Sequence, residues 1–579
     1  MSGIHLYSLL SLLRTHLDHN QKEALLVIGV TAAAWAFPRW GSNWFHKTEL
    51  GWSKLARSRR LAVLAVGLLA LAARAAILPI QPIPQPMVED EFSYLLAADT
   101  YAHGRLTNRT HPMWTHFEAY NILQKPTYMS KYYPAQGLIM AVGQVVAGHP
   151  FWGVWVSMGL MCAALCWMLQ GWMPPVWALL GGLLAVIRLA TFSYWGNSYY
   201  GGGVAAIGGA LVLGALPRLR RTPQVRNTLL LGLGLAILAN SRPYEGIFLG
   251  LGLAVVASVW LLGKKRPPLR VIVRRVMMPL LLVLVPTICA MGYYFWRVTG
   301  SPFRTPYAVC KKNYEPTPDF PWQSMEAATE LSPPQLKAGY FEQAPLYKFA
   351  HEHTVQWAWQ KAKSLVSFFL GPLLMMPVVA LLLAHRGKFF RSLTQPSKPR
   401  LLLFLCALPL IGMTLPIWFL PHYAAPLTAA FYALVMLAMR HLRLWQYRNQ
   451  PVGKQMVRVI PVLAVAVLVW QARILVLQRG PSAPSEDLGR FSVLAQLTGY
   501  SGGQLVVVRH KPDNIADLDW VYNDADIDAA KVVWARDMGT SANEELIRYF
   551  KDRRVWLLEA DESPPKLLPY KSIQSKRNH

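Results

Sequence analysis

The sequence predicts a polytopic α-helical membrane protein of 11–12 transmembrane helices that ends in a small extracytoplasmic α/β domain. Three observations predict it. Of 579 residues, 53% are hydrophobic and only 15% charged, well under the ~25% of soluble domains. Apolar runs suited to crossing a bilayer recur as far as residue 478. The Lys and Arg residues behind the net charge of +28 crowd into alternate short loops between those runs, which is how orientation is set in a bilayer. That placement argues against nucleic acid as a partner, because the basic residues are loop anchors and not one contiguous patch.

Residues 1–60 form an N-terminal segment. Leu9, Leu10, Leu12 and Leu13 put an apolar stripe on the polar stretch 1–22. Residues 24–37 are apolar but short, since a crossing needs ~17–25 residues. They cross by recruiting their flanks or lie in the interface. No charged–apolar–small cleavage pattern opens the chain, so the first true span is expected to be an uncleaved targeting signal. Arg39, Lys47, Lys54, Arg57, Arg59 and Arg60 mark 38–60 as the first cytoplasmic loop.

The membrane part, 61–478, then alternates. Residues 61–80 cross outward to a polar, aromatic loop, 81–149, and 151–172 return. Residues 175–194 go out and 201–217 come back to Arg218, Arg220 and Arg221. Residues 228–240 and 247–263 flank a tight outer turn from Ser241 to Gly246. Residues 276–295 lead to a second long outer loop, 296–360, and 364–384 return to Arg386 and Lys388. Residues 401–420 and 424–439 flank the outer turn Pro421-His422-Tyr423, and 459–477 cross outward last. Loops assigned inside are basic, except the small turn near 171–174, and loops assigned outside hold almost all the acidic residues of this part. The alternation makes the chain multi-pass, and the cell inner (plasma) membrane is its expected location.

The tail, 480–579, reads differently. Residues 504–509, 531–535 and 554–558 are strand-like, and 543–551 form an amphipathic helix. Residues 563–579 are expected to fray. Of the five cysteines, Cys162, Cys166, Cys289, Cys310 and Cys406, four lie in apolar spans without His or Cys partners, which favours packing over metal or disulfide.

Chemistry is expected on the outer face. Glu89-Asp90-Glu91 opens the first outer loop beside the bilayer, where three carboxylates are costly unless they are used or fully hydrated. A carboxylate such as Asp90 can take a proton from an attacking hydroxyl. A second one beside it, Glu91, can orient the acceptor or hold a divalent cation. An Arg or Lys of these outer loops, among which are Lys131 and Arg242, can neutralise a leaving phosphate, Arg with a bidentate match. Trp195, Tyr199 and Tyr200 can stack on a sugar, and Tyr94, Tyr244 and Glu245 lie in the same outer group. Such a wall over apolar helices suits a polar head group on a lipid tail. Plainer readings stand beside these. The acidic run caps a helix starting near Phe92, and Arg242 and Glu245 pair only to fix a turn. His351-Glu352-His353 is a solvated loop more readily than a metal site. Asn108-Arg109-Thr110 is a glycosylation acceptor only if accessible. Gly201, Gly202 and Gly203 serve close helix packing. Asp524, Asp526 and Asp528 lack the spacing of a calcium loop.

With Asp90-Glu91 just after a span, then Tyr94, then Lys125-Pro126 and Lys131-Tyr132-Tyr133-Pro134 leading into the next span, the layout over roughly residues 60–440 resembles the GT-C membrane glycosyltransferases. It is most similar to the bacterial branch related to protein O-mannosyltransferases and lipid A aminoarabinose transferases. The resemblance implies a GT-C-like fold, a polyprenyl-phosphate-linked sugar donor and inversion at the anomeric carbon. It implies Asp90 as base or acceptor-orienting acid, Glu91 as its support or a metal ligand, and Lys131, Arg242 and His422 as candidates for the lipid-phosphate side. The acceptor would be a glycan, lipid or protein, with membrane lipid as surroundings. The alternative is a lipid or anion transporter or flippase, against which stands the scarcity of charge inside the spans. A non-enzymatic scaffold for the tail would not need acids and bases converging from several loops.

Overall fold

The computed structural model describes residues 4–263, 266–314, 317–324, 344–385, 397–478, 489–511 and 519–570. Among these, six helices are long and apolar enough to cross a membrane: Phe151–Trp172, Gly203–Arg221, Pro243–Leu262, Leu269–Thr299, Pro421–Leu442 and Val452–Leu477. Three other expected spans are shorter apolar helices, Pro175–Thr191, Val225–Ala239 and Pro399–Thr414, with Arg59–Ala76 as the first after the basic loop, and a further apolar helix, Pro134–Ala147, lies inside the expected outer loop 81–149. Side chains such as Leu282 (70% exposed) and Ile288 (67%) cover the outside of Leu269–Thr299. An apolar surface of that extent belongs in lipid. Helices approach closely where glycines allow it. A Cβ on Gly209 would lie 1.9 Å from the Pro426 carbonyl oxygen, so helix Gly203–Arg221 seats the segment that carries His422.

The N-terminal stretch is one helix, Ile4–Ala36, so residues 24–37 do extend through their flank. The expected span 364–384 is instead two helices, Thr354–Phe369 and Gly371–Leu383, bent by 103°. Gly371 takes φ +58°, and the Arg188 guanidinium fills the space beside it. The break strands backbone groups in an apolar region, and two charged side chains satisfy them. Arg188 donates to the carbonyls of Ser367 and Phe368, Glu23 accepts the Leu373 N–H at 3.0 Å, and the two pair at 3.3 Å. Single-sequence hydropathy contains no trace of this break.

Residues 81–149 are an ordered platform. The Pro-rich stretch ends at an acidic helix, Glu89–Ala102, which packs on Pro134–Ala147 through Gly137 against Ala97 and Tyr101. Between them lies a small antiparallel sheet in the order Asn108–Arg109, Thr127–Ser130, Ile122–Leu123.

The C-terminal unit is a four-stranded sheet in the order Val532–Arg536, Gln504–Arg509, Arg554–Glu559, Lys566–Pro569. The first three are parallel and the last antiparallel. Leu505 through Val508 are fully buried, as a central parallel strand covered on both faces requires. Helices Gly489–Thr498 and Thr540–Tyr549 accompany it. One expectation is corrected: residues 566–569, placed in a frayed end, form an edge strand, because Leu567 and Leu568 pair with Leu558 and Leu557. Residues 571–579 lie outside the described residues.

Candidate active site

The acidic helix starts where prolines stop and where Glu91 can close its first turn. Glu91 Oε2 accepts the N–H groups of Met87 (2.7 Å) and Val88 (3.4 Å), and Oε1 accepts the Tyr199 N–H at 3.0 Å. At 3% exposure it is a brace between this helix and the loop before Gly203–Arg221. Burial pushes its carboxyl above the usual range against the pull of those N–H bonds. The capping role thus falls to Glu91, and this reassigns the expected partner of Asp90. Both Glu91 oxygens are engaged by backbone, so Asp90 and Glu91 do not fit as a chelating pair. The described residues contain no group of three or more His, Cys, Asp or Glu suited to a metal.

Asp90 faces a different set. Its Oδ1 accepts from Asn121 Nδ2 at 2.7 Å and from the Tyr132 hydroxyl. Asn121 sits at φ +62°, a conformation Asn tolerates better than most residues, and its carbonyl accepts the Lys131 N–H at 3.1 Å. The sheet turn therefore delivers Asn121, Lys131 and Tyr132 together. Asn121 carried no signal in the sequence other than being an Asn in a polar loop.

The Tyr132 ring stacks on Tyr94 with centroids 4.3 Å apart. Arg242 lies with its guanidinium 4.3 Å from the Tyr423 ring centroid. Tyr94 is within electrostatic reach of Asp90, Arg242, Tyr423 and Lys131, and Tyr423 is within reach of Arg242, Asp90, Glu245 and Lys131. Asp90, Lys131 and Arg242 thus surround one aromatic cluster. Arg242 has no carboxylate within ion-pair distance among the described residues, and the charge of Glu245 is the strongest that acts on it. The Lys131 ammonium lies between the rings of Tyr132 (5.3 Å) and Tyr307 (5.2 Å).

Other expected residues fall into two groups. His422 is buried at the edge of the cluster, its Nδ1 3.0 Å from the Tyr194 hydroxyl, with Tyr200 and Tyr423 edge-on to its ring. Tyr200 is half-buried and within reach of Glu89, Asp90 and Glu91. These two border the site. Trp195 and Tyr199, read as sugar platforms, are instead packed inside at 1% exposure each. Trp195 lies against Phe368, Phe369 and Gly202, and Tyr199 donates its hydroxyl to the Pro84 carbonyl at 2.8 Å. Tyr244 donates to the Gly412 carbonyl at 2.9 Å and fastens its turn to Pro399–Thr414. Glu245 is buried in the first turn of Pro243–Leu262. Asn108 is buried and donates to Thr100 and the Tyr128 carbonyl, which removes it as a glycosylation acceptor. His351, Glu352 and His353 are exposed, as a solvated segment would be.

The C-terminal unit closes over this platform. Phe92, two residues after Asp90, stacks on Tyr522 at 4.2 Å, and Asp99 accepts the Ala525 N–H at 2.8 Å. Arg536 donates to the Glu118 carbonyl at 2.7 Å, and the Tyr128 hydroxyl donates to the Asn523 carbonyl at 2.9 Å.

No protein-family model matches the chain, and no curated protein matches it by sequence. Solved structures do. ArnT from Cupriavidus metallidurans bound to undecaprenyl phosphate is similar over 86% of this chain and 93% of its own, with 13% identity and a TM-score of 0.49. The oligosaccharyltransferase AglB from Archaeoglobus fulgidus, in complex with an inhibitory peptide and a dolichol-phosphate, is similar over 87% of this chain and 69% of its own, with 11% identity and a TM-score of 0.44. The Archaeoglobus fulgidus oligosaccharyltransferase in complex with Zn and sulfate is similar over 86% and 68%, with 12% identity and a TM-score of 0.44. Each is a likeness in shape at low identity. The chemistry has to follow from this chain's own residues.

Proposed function

We propose that this protein is a membrane glycosyltransferase that moves a sugar from a polyprenyl-phosphate-linked donor to an extracytoplasmic acceptor, with inversion. One observation carries the reading. A carboxylate oriented through one oxygen, Asp90, and a guanidinium with no carboxylate within ion-pair distance, Arg242, flank the same aromatic cluster at the end of the helices. The acceptor hydroxyl attacks the anomeric carbon and gives its proton to Asp90. The bond from that carbon to the phosphate oxygen breaks, and its electron pair leaves with the polyprenyl phosphate. Arg242, with Lys131 at the same aromatic cluster, meets the charge that builds there. Tyr132 and Asn121 hold Asp90 in place. Lys131 and Tyr132 lead directly into Pro134–Ala147, whose Leu138, Val142 and Val145 are exposed and offer a lipid tail an apolar track.

A second reading, transport of a lipid or anion, draws on the broken helix at Gly371 with its half-buried Arg188 and buried Glu23, a feature transporters use at binding sites. Here both charges are already engaged by the backbone of the break. Purified protein in proteoliposomes, given a labelled polyprenyl-phosphate sugar, separates the two. Labelled acceptor product supports transfer, whereas flux of intact donor without product supports transport.

A further inference from the structure

At the other end of the helices lies a cavity of about 520 Å³ that the proposed reaction does not use. Helix Pro421–Leu442 starts at the active-site His422 and ends beside Arg443, roughly 30 Å away at 1.5 Å per residue. The cavity lies at that far, basic end. Its walls are Trp35, Phe37, Trp40 and Tyr447, and it also holds Arg39 and Arg448.

Both sides are held firmly. The Trp40 carbonyl accepts from Gln455 Nε2 at 3.0 Å, and Trp35 packs on Tyr447 with centroids 4.8 Å apart. Tyr447 and Gln450 exchange backbone hydrogen bonds across a two-residue turn, Arg448-Asn449, with φ +48° and +59°. That left-handed conformation is unfavourable for Arg, and a residue held there deserves a functional explanation. Neither Arg39 nor Arg448 has a carboxylate within ion-pair distance among the described residues. The nearby Glu49 is taken by Arg443 and Arg458 at 3.0 and 2.9 Å.

An open aromatic groove alone, with Trp40 75% and Phe37 66% exposed, would suit a quaternary ammonium, but two guanidiniums along it repel cations and select a phosphate. Leu25 (70% exposed), Ile28 and Trp35 form one stripe of helix Ile4–Ala36 that leads from lipid to the cavity. A ligand with an anionic head and apolar chains matches both parts. We infer that this cavity binds the phosphodiester head of an anionic phospholipid, with Arg39 and Arg448 on the phosphate and the acyl chains along the Leu25–Trp35 stripe.

The test is native mass spectrometry of the full chain in detergent, titrated with phosphatidylglycerol or phosphatidylcholine. The wild type should retain phosphatidylglycerol and not phosphatidylcholine. The double variant Arg39→Gln/Arg448→Gly should bind it roughly 30-fold more weakly, at about fivefold per arginine near a membrane surface. Gly at 448 suits the left-handed turn, so folding is not put at risk there. The control Lys54→Gln/Arg57→Gln, with the same charge loss on the neighbouring helix, should bind as the wild type does. Equal retention of both lipids, equal loss in variant and control, or displacement of the lipid by equimolar inorganic phosphate would overturn the inference. Should the double variant not fold, the comparison of the two lipids on the wild type still decides it.

Discussion

Asp90 receives both of its hydrogen bonds on Oδ1, from Asn121 and Tyr132, and this orients the carboxylate without the help of its sequence neighbour. Glu91, one residue on, points the other way and closes the helix start. Adjacent helical residues do not share a face, which is why two carboxylates that look like a pair in the sequence have separate tasks. Replacing Tyr132 with Phe removes one hydrogen bond to a charged group, worth ~1.5 kcal/mol or more. The turnover number should fall roughly tenfold while the thermal midpoint stays near that of the wild type, read from transfer rates and melting curves on the same preparation. Glu91→Gln, by contrast, should lower the melting temperature together with activity, since a brace and not the reacting group is altered. The acidic run and the Arg242 turn were legible as candidates because of charge at a membrane boundary, and the fold brings Asp90 and Arg242 to one aromatic cluster. The burial of Trp195 and Tyr199 was not, because aromatic residues at such a boundary look the same whether they face the site or the core.

At the scale of elements, two devices depend on contacts far apart in sequence. The helix break at Gly371 is satisfied by Arg188 and Glu23, which come from two other helices. Arg188→Ala leaves Glu23 (1% exposed) buried and uncompensated, and the cost should be about 3–5 kcal/mol, measured by thermal or denaturant unfolding in detergent. The second device is the join between the platform and the C-terminal sheet at Glu118. Burial raises the Glu118 carboxyl to about 7, against a hydrogen bond from Tyr314 and the charge of Arg536. Its folded value lies above its unfolded one, so the native state binds the extra proton between pH ~4.5 and ~7. This contribution to stability is present at low pH and is lost as pH rises through 7. The melting temperature should therefore fall from pH 5 to pH 8, and Glu118→Gln should flatten that slope. Neither device could be read from a hydrophobicity pattern, because both follow from which helices and strands meet. The strands of the tail were legible for the opposite reason. Gln504–Arg509 carries a continuous apolar run, the mark of a parallel strand covered on both faces, and Arg554–Glu559 a shorter one, whereas Lys566–Pro569 becomes a strand only once Arg554–Glu559 is there to pair with it.

Across the whole molecule, the helices hold two ends apart. One end gathers Asp90, Lys131, Arg242 and Tyr423 under the C-terminal unit, and the other gathers the basic loops and the aromatic cavity. Alternation of charge along the chain made that polarity legible, while the distance between groups within the site came only with the folded platform. The C-terminal unit stacks Tyr522 on Phe92, on the same helix as Asp90. Deleting the tail after residue 478 should increase hydrogen exchange across Glu89–Ala102 and lower turnover, with the membrane helices still folded. The most direct test of the central claim compares Asp90→Asn and Arg242→Gln in binding of a polyprenyl phosphate and in transfer of its sugar. Asp90→Asn is predicted to bind with wild-type affinity and to lose transfer by at least about 100-fold, the usual weight of a positioned base, while Arg242→Gln loses binding. Transfer at the wild-type rate by a folded Asp90→Asn protein would contradict the account.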